Sequence, residues 1–421
     1  MNSIKKVILW QFIAVLGLNL AYALVISDRF SYMGFTYTFN FPKLLIGTVI
    51  LILMLLLNYF IKDKFIFAVW NIMFTYLFAG EVIYYQYSEN SSIVQLLTIS
   101  ITLICLILVS RSKKVFTDNK KINRVDRILT PLSLILISPF IILYYKYIDL
   151  KNLLLIDVYQ TRALFRNISI PLTGYIYAPL VRIILPVLIV RNIEYRKWLK
   201  VTLFFSMIVY VYLCGALKSV FIGLFALLLF YKGNYTQKVV NFLKSISFLS
   251  FFGIALEAIL GNVFLLDSFI RRVFFVPPFL NNIYIDHFTG NHTYLSHSPL
   301  GLGLVEDKIG GSLSMYVGEV VMGLEGLNAN VGVFTEGYVS FGIPGSIFFS
   351  VLICGVFLFI KMIKISPKYF GIVFVYIYYL NTAFLSTLLL THGLFFFLVF
   401  SALFLREGND NKEFNSSLKT S

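Results

Sequence analysis

The sequence predicts an all-α polytopic membrane protein of about 12 transmembrane helices, with one long outer loop that carries short helices. Three observations predict it. Apolar residues make up 59% of the 421 and charged residues only 13%, with a mean hydropathy of +0.84, whereas soluble domains hold about 45–50% and about 25%. The apolar residues fall into runs near the ~20 needed to cross ~30 Å of hydrocarbon at ~1.5 Å per residue. Finally, Lys and Arg concentrate in every second connection, as membrane sidedness demands.

Taken in order, the runs are residues 7–26, 44–61, 65–85, 93–110, 128–148, 171–190, 201–214, 220–231, 246–266, 339–360, 369–385 and 393–405. The seventh, eighth and last are short, which tilt or local bilayer thinning accommodates. The first is full length with no small-residue cleavage pattern after it, so it reads as a signal anchor. With the N-terminus inside, the inner segments hold 24 of the 35 Lys and Arg but 7 of the 20 acids. Both termini are therefore expected in the cytoplasm, and the connections 149–170 and 267–338 outside. The whole chain, 1–421, is read as one integral membrane domain with a polar, disordered tail at 406–421.

Composition also excludes. Cys105, Cys214 and Cys354 lie in apolar runs without CxxC spacing, so neither a disulfide framework nor a zinc site is expected. The formal charge of +15 sits in short loops between apolar spans, which the positive-inside rule explains without nucleic acid.

Polar chemistry concentrates outside. Arg162, Arg166, Arg182, Lys218, Arg271 and Arg272 lie where that rule disfavours cations. A guanidinium binds phosphate through two parallel hydrogen bonds at any relevant pH, so such a set suits a diphosphate headgroup converging on one pocket. Arg162 and Arg166 share a helical face, and Arg182 lies deep in a span, where an arginine needs a wet cavity or a partner. The competing reading for Arg271, Arg272 and Lys218 is snorkelling toward lipid phosphate.

His287, His292 and His297 recur at five-residue steps, which fits no standard metal pattern. An imidazole suits an extracytoplasmic base, so His287 and His297 are candidate proton acceptors, as is Glu319 among the loop glutamates Glu319, Glu325 and Glu336. Glu81 and Glu257, inside spans, are expected to snorkel or to pair with an outer arginine. Tyr284, Tyr294 and Tyr338 are candidate sugar platforms beside Asn330, although tyrosine is also an ordinary interfacial residue. Gly332, Gly337, Gly342 and Gly345 crowd the start of a span, which implies close approach of backbone or ligand.

Three stretches resemble the O-antigen and capsule repeat-unit polymerase (Wzy) family. They are RVFFVP from Arg272 to Pro277, with Tyr284, Phe288, Ser296 and Ser298 behind it; NVG at Asn330 to Gly332 running on to FGIPG at Phe341 to Gly345; and GALKS from Gly215 to Ser219. The plan of many spans with one long late outer loop is similar too. The resemblance implies a metal-independent glycosyltransferase of the C-type (GT-C) fold, without a cofactor, in the bacterial cytoplasmic (inner) membrane. It would move a growing glycan from undecaprenyl diphosphate to the non-reducing end of a new lipid-linked repeat unit, alongside a flippase and a chain-length regulator. The alternatives are an O-antigen ligase, or a lipid-linked oligosaccharide flippase or other secondary transporter, since twelve spans with both termini inside is also a transporter plan. No repeated halves are visible.

Overall fold

The structure, a computed structural model, describes residues 3–89, 91–113, 125–148, 152, 173–215, 218–307 and 309–407. Among these residues the chain is helical, with no strand beyond one bridge between Ile365 and Arg406. Among the described residues ten stretches are long and apolar enough to cross a membrane, where twelve were expected of the whole chain. They are α1 (Ile4–Arg29), α2 (Phe41–Phe60), α3 (Lys64–Tyr87), α4 (Val94–Arg111), α5 (Val125–Tyr144), α6 (Thr173–Glu194), α7 (Trp198–Gly215), α9 (Tyr235–Leu260), α11 (Val333–Ile363) and the final Leu385–Phe404. The eighth expected run forms the shorter helix α8 (Ser219–Phe230). The eleventh shrinks to a ten-residue helix, α12 (Phe370–Tyr379), and the last starts early, as α13 (Leu385–Leu389) and α14 (Leu394–Phe404). Hydropathy misplaced these ends because the turns between α12 and α14 are themselves apolar.

The chain divides into two compact units, Met1–Lys114 with Gly233–Phe359 and Ile377–Ser386, and Val115–Lys232 with Ile360–Tyr376 and Thr387–Ser421. In the first, α3 is buried from Phe65 to Gln86. Its polar side chains are bonded: Trp70 Nε1 donates to the Leu103 carbonyl at 3.0 Å, Asn71 to Phe67 at 2.7 Å and Thr75 to Asn71 at 3.0 Å. Hydroxyls that return to the preceding turn are the usual way an apolar helix keeps Ser and Thr. By contrast α2 turns most of its surface outward, with Leu45, Val49, Ile52, Leu53 and Leu56 exposed.

The interval expected to open as an outer loop opens instead as a helix, α10, in which Leu266–Phe275 runs directly into Val276–Phe288. The first ten residues form wide π turns, and Pro277 and Pro278 come next. Pro278 has no N–H to return to the Phe274 carbonyl four residues back. That carbonyl lodges against Gly80 of α3, so closely that a Cβ on Gly80 would lie 2.0 Å from it. Leu266, Ile270, Phe274 and Phe275 are buried, which is why this stretch is core and not surface.

In α11 the backbone leaves helical geometry at Phe341 and at Gly342, whose φ of 69° favours glycine. There the chain doubles back. Ser346 Oγ donates to the Phe334 carbonyl at 2.9 Å, and Gly337 and Gly345 meet backbone to backbone, with a Cβ on Gly345 only 2.1 Å from the Gly337 oxygen. The 31 residues are therefore a hairpin of a short arm, α11a (333–340), and a long arm, α11b (343–363). Gly332 lies as close to the Leu380 carbonyl, and Val333 N–H donates to it at 3.0 Å. The glycine crowding thus reflects backbone approach.

In the second unit α6 repeats the device of α10. Wide turns span Pro179–Ile184, Pro186 offers no N–H to the Arg182 carbonyl, and that carbonyl abuts Gly223 of α8, where a Cβ would lie 2.4 Å away. At the end of α6 the fully buried Arg191 donates to Asp126 at 2.7 Å and to Tyr369 at 3.3 Å.

Candidate functional site

All ten residues from Val331 to Ser340 are buried, and α11a carries the polar side chains Thr335, Glu336 and Ser340 into the first unit. Such groups stay buried only where they are bonded or where chemistry needs them. Thr335 Oγ1 donates to Asn281 Oδ1 at 2.7 Å, and Asn281 Nδ2 donates to Glu81 Oε2 at 3.3 Å. One chain thereby ties α11a to α10 and α3. Glu81, expected to snorkel or to meet an arginine, has this amide instead.

Glu336 faces the other way. Its Oε2 accepts the N–H of Leu385, the first residue of α13. Its Oε1 lies 3.8 Å from His297 Nε2, with both side chains almost wholly buried. His297 comes from a turn clamped to the end of α11a, where Thr293 N–H donates to Val339 at 2.9 Å and Tyr294 N–H to Ser340 at 3.0 Å. Tyr294 and Leu295 are both left-handed, at φ 51° and 62°, an unusual conformation for such residues. The Thr293 hydroxyl lies 3.4 Å from the Val339 carbonyl and 3.1 Å from His297 Nδ1. When the hydroxyl donates to Val339, Nδ1 carries the imidazole proton and Nε2, turned toward Glu336 Oε1, is the free acceptor. Neither atom has a hydrogen-bond partner, and their separation exceeds a direct hydrogen bond. Two acceptors so placed suit a ligand bearing hydroxyl protons.

The other expected residues lie at varied depths. His287 is exposed at the end of α10, with Nε2 3.4 Å from the Tyr316 hydroxyl. Glu319 is exposed and accepts the Gly326 N–H at 3.2 Å, so it closes a turn, and the buried loop acid is Glu336. Tyr284 corrects the expectation of a sugar platform: its ring is enclosed by Leu280, Phe288, Leu313 and Val317 and its hydroxyl donates to Ala329 at 2.7 Å. Burial pushes that phenol pKa up, so it remains a neutral donor. Tyr338 is likewise buried, sharing a hydrogen bond with Thr289 at 3.0 Å, while Tyr294 and Asn330 are exposed.

Among the cations, Arg271 is buried over the Phe30 ring, 4.4 Å from its centroid, and donates to Asp267 at 2.7 Å. A guanidinium so occupied is an internal pair, which corrects its expected role as a phosphate ligand. Arg272 is the open one, with a 67% exposed side chain 3.6 Å from Asp267. Glu257 takes an arginine as expected, Arg29, at 2.9 Å. In the second unit Arg182 is buried in the wide turns of α6, 5.8 Å from the Tyr177 ring and within electrostatic reach of His392. Lys218 opens the short turn Lys218–Phe221. Arg162 and Arg166 lie outside the described residues.

The Glu81–Asn281–Thr335 chain and the choice of Glu336 over Glu319 are not evident from the sequence. A lone acid inside the apolar run VFTEGYV is the available signal. Comparison with known proteins brings no match: no family model, no curated protein and no solved structure is significantly similar to this chain.

Proposed function

We propose that this chain is a membrane glycosyltransferase that polymerises lipid-linked oligosaccharide repeat units, with His297 as the base. The buried His297–Glu336 pair in a polytopic membrane protein is the observation that carries the reading. The acceptor hydroxyl gives its proton to His297 Nε2 while its oxygen bonds the anomeric carbon of the donor glycan. The bond from that carbon to the diphosphate breaks, and the lipid diphosphate leaves with the electron pair. Glu336 stabilises the imidazolium so formed, more strongly than in water because the pair is enclosed. Arg272, with a 67% exposed side chain, is a cation of this unit open to a diphosphate. By sequence Arg162, Arg166, Arg182 and Lys218 are also expected on the outer side of the membrane.

Depth supports this reading. At ~1.5 Å per residue α11b is about 31 Å long, matching ~30 Å of hydrocarbon. A bilayer fitted to it meets the hairpin near Gly342. Glu336, beside the Gly337–Gly345 contact, then lies about one helical turn (~5 Å) inside that boundary. A lipid carrier presents its headgroup just above that level. Lys361 in the last turn of α11b, with Lys364 and Lys368 past it, supports a cytoplasmic side at that end and an outer hairpin tip.

The test uses purified full-length protein in vesicles loaded with undecaprenyl-diphosphate-linked repeat units, with glycans resolved on a gel. Wild type is expected to build a ladder, His297→Ala to stop at one unit, and Glu336→Gln to slow lengthening by about 100-fold. An unchanged ladder from His297→Ala refutes the base. Units that cross the membrane without lengthening identify a transporter instead.

A further inference from the structure

We propose that the loop 299–305 and the tip of the α11 hairpin together seat in the lipid interface, holding the mouth of the His297 turn against the bilayer. The loop, PLGLGLV, carries no charge, and Leu302 and Leu304 are 82% and 84% exposed. At the apex Leu302 is left-handed, at φ 52°, followed by Gly303 at 68°. A leucine in that conformation is disfavoured by its own Cβ, and here the result is a side chain directed away from the protein. The loop is anchored to the turn that carries His297: a Cβ on Gly301 would lie 2.3 Å from the Leu295 carbonyl. Next to it Tyr294 meets Phe341 edge-on, with ring centroids 6.1 Å apart. Tyr294, Leu300, Leu302, Leu304, Phe341 and Ile343 are thus exposed apolar side chains of one neighbourhood.

Contiguous apolar surface of this kind marks an interaction site, and the hairpin identifies the occupant. Phe341 and Ile343 cap α11b, an apolar arm of membrane length, so they stand at the edge of the hydrocarbon. A patch continuous with them meets lipid before it meets a soluble partner. The apolar stretch then stops at Glu306 and Asp307, both exposed, as it would on leaving the interface. Aromatic and aliphatic side chains bordered by charged residues are the usual content of such a seat. The seat does not depend on the chemistry performed beside it.

Full-length protein carrying Cys105→Ala, Cys214→Ala and Cys354→Ala receives a single Leu302→Cys, Leu304→Cys or Glu306→Cys and a polarity-sensitive fluorophore, in phosphatidylcholine vesicles. Labels at 302 and 304 are expected to be quenched by lipid bearing a nitroxide near the top of the acyl chain. Aqueous iodide should quench them severalfold less than the label at 306. Iodide quenching equal to that at 306 overturns the proposal. So does protection from both quenchers, which means that a second copy or another protein covers the patch. Leu302→Trp, read by quenching with brominated lipid, gives the same decision without cysteine replacement.

Discussion

α10 and α6 make the same backbone manoeuvre in different units. Each has wide turns containing an arginine, then a proline whose missing N–H leaves a carbonyl pressed onto a glycine of a neighbouring helix. The two helices differ past that point. Beyond Pro278, α10 carries Asn281, Asn282 and Tyr284, each bonded by its side chain, and reaches the polar interior of its unit. Beyond Pro186, α6 is apolar until Arg191 meets Asp126. The arginines differ as well: Arg271 has Asp267 one turn back on its own helix, whereas α6 offers Arg182 no acid within a turn. The same device therefore brings helices together in both units, and only in α10 does it also deliver a polar face.

The comparison is broken most directly at its glycines. Gly80→Ala and Gly223→Ala should each destabilise by about 3 kcal/mol, since the new Cβ meets backbone that cannot rotate away. Thermal unfolding in detergent measures both, and a tolerated Gly223→Ala beside a damaging Gly80→Ala would show that the device is not shared. Next come the charges. Asp267→Ala should cost about 3 kcal/mol by stranding the buried Arg271, while Arg272→Gln, on an exposed side chain, should stay within about 0.5 kcal/mol. Equal effects would mean that the two arginines share one role. The smallest effect sharpens the account of the polar face. Thr335→Val should cost about 1 kcal/mol, and combined with Glu81→Gln it should be non-additive through Asn281. Strict additivity in a double-mutant cycle would disconnect the chain.

Membrane character, most spans and the close approach around Gly332 to Gly345 are legible in the sequence because apolar run length and glycine clustering are local signals. The hairpin is not. Residues 339–360 read as one span because hydropathy is blind to direction, and the non-helical backbone of Phe341 and Gly342 reverses the chain. Leu266 to Phe275 read as a loop because Asp267, Arg271 and Arg272 lower its hydropathy, yet two of those charges neutralise each other on the helix. At the site the sequence points to His297 but favours Glu319 over Glu336, since the two acids differ only in burial, which depends on contacts distant in sequence. The Asn281 link joins residues 200 positions apart on one side and 54 on the other, and no spacing rule reaches that far.

The hairpin also sets a timetable. An eight-residue arm, about 12 Å long, is too short to be inserted into a membrane by itself, so α11a must wait for α11b before it can tuck in. Glu336 then waits again for Leu385, which leaves the ribosome 49 residues later. The His297–Glu336 pair is thus held in its final setting only after both α11b and α13 have been made.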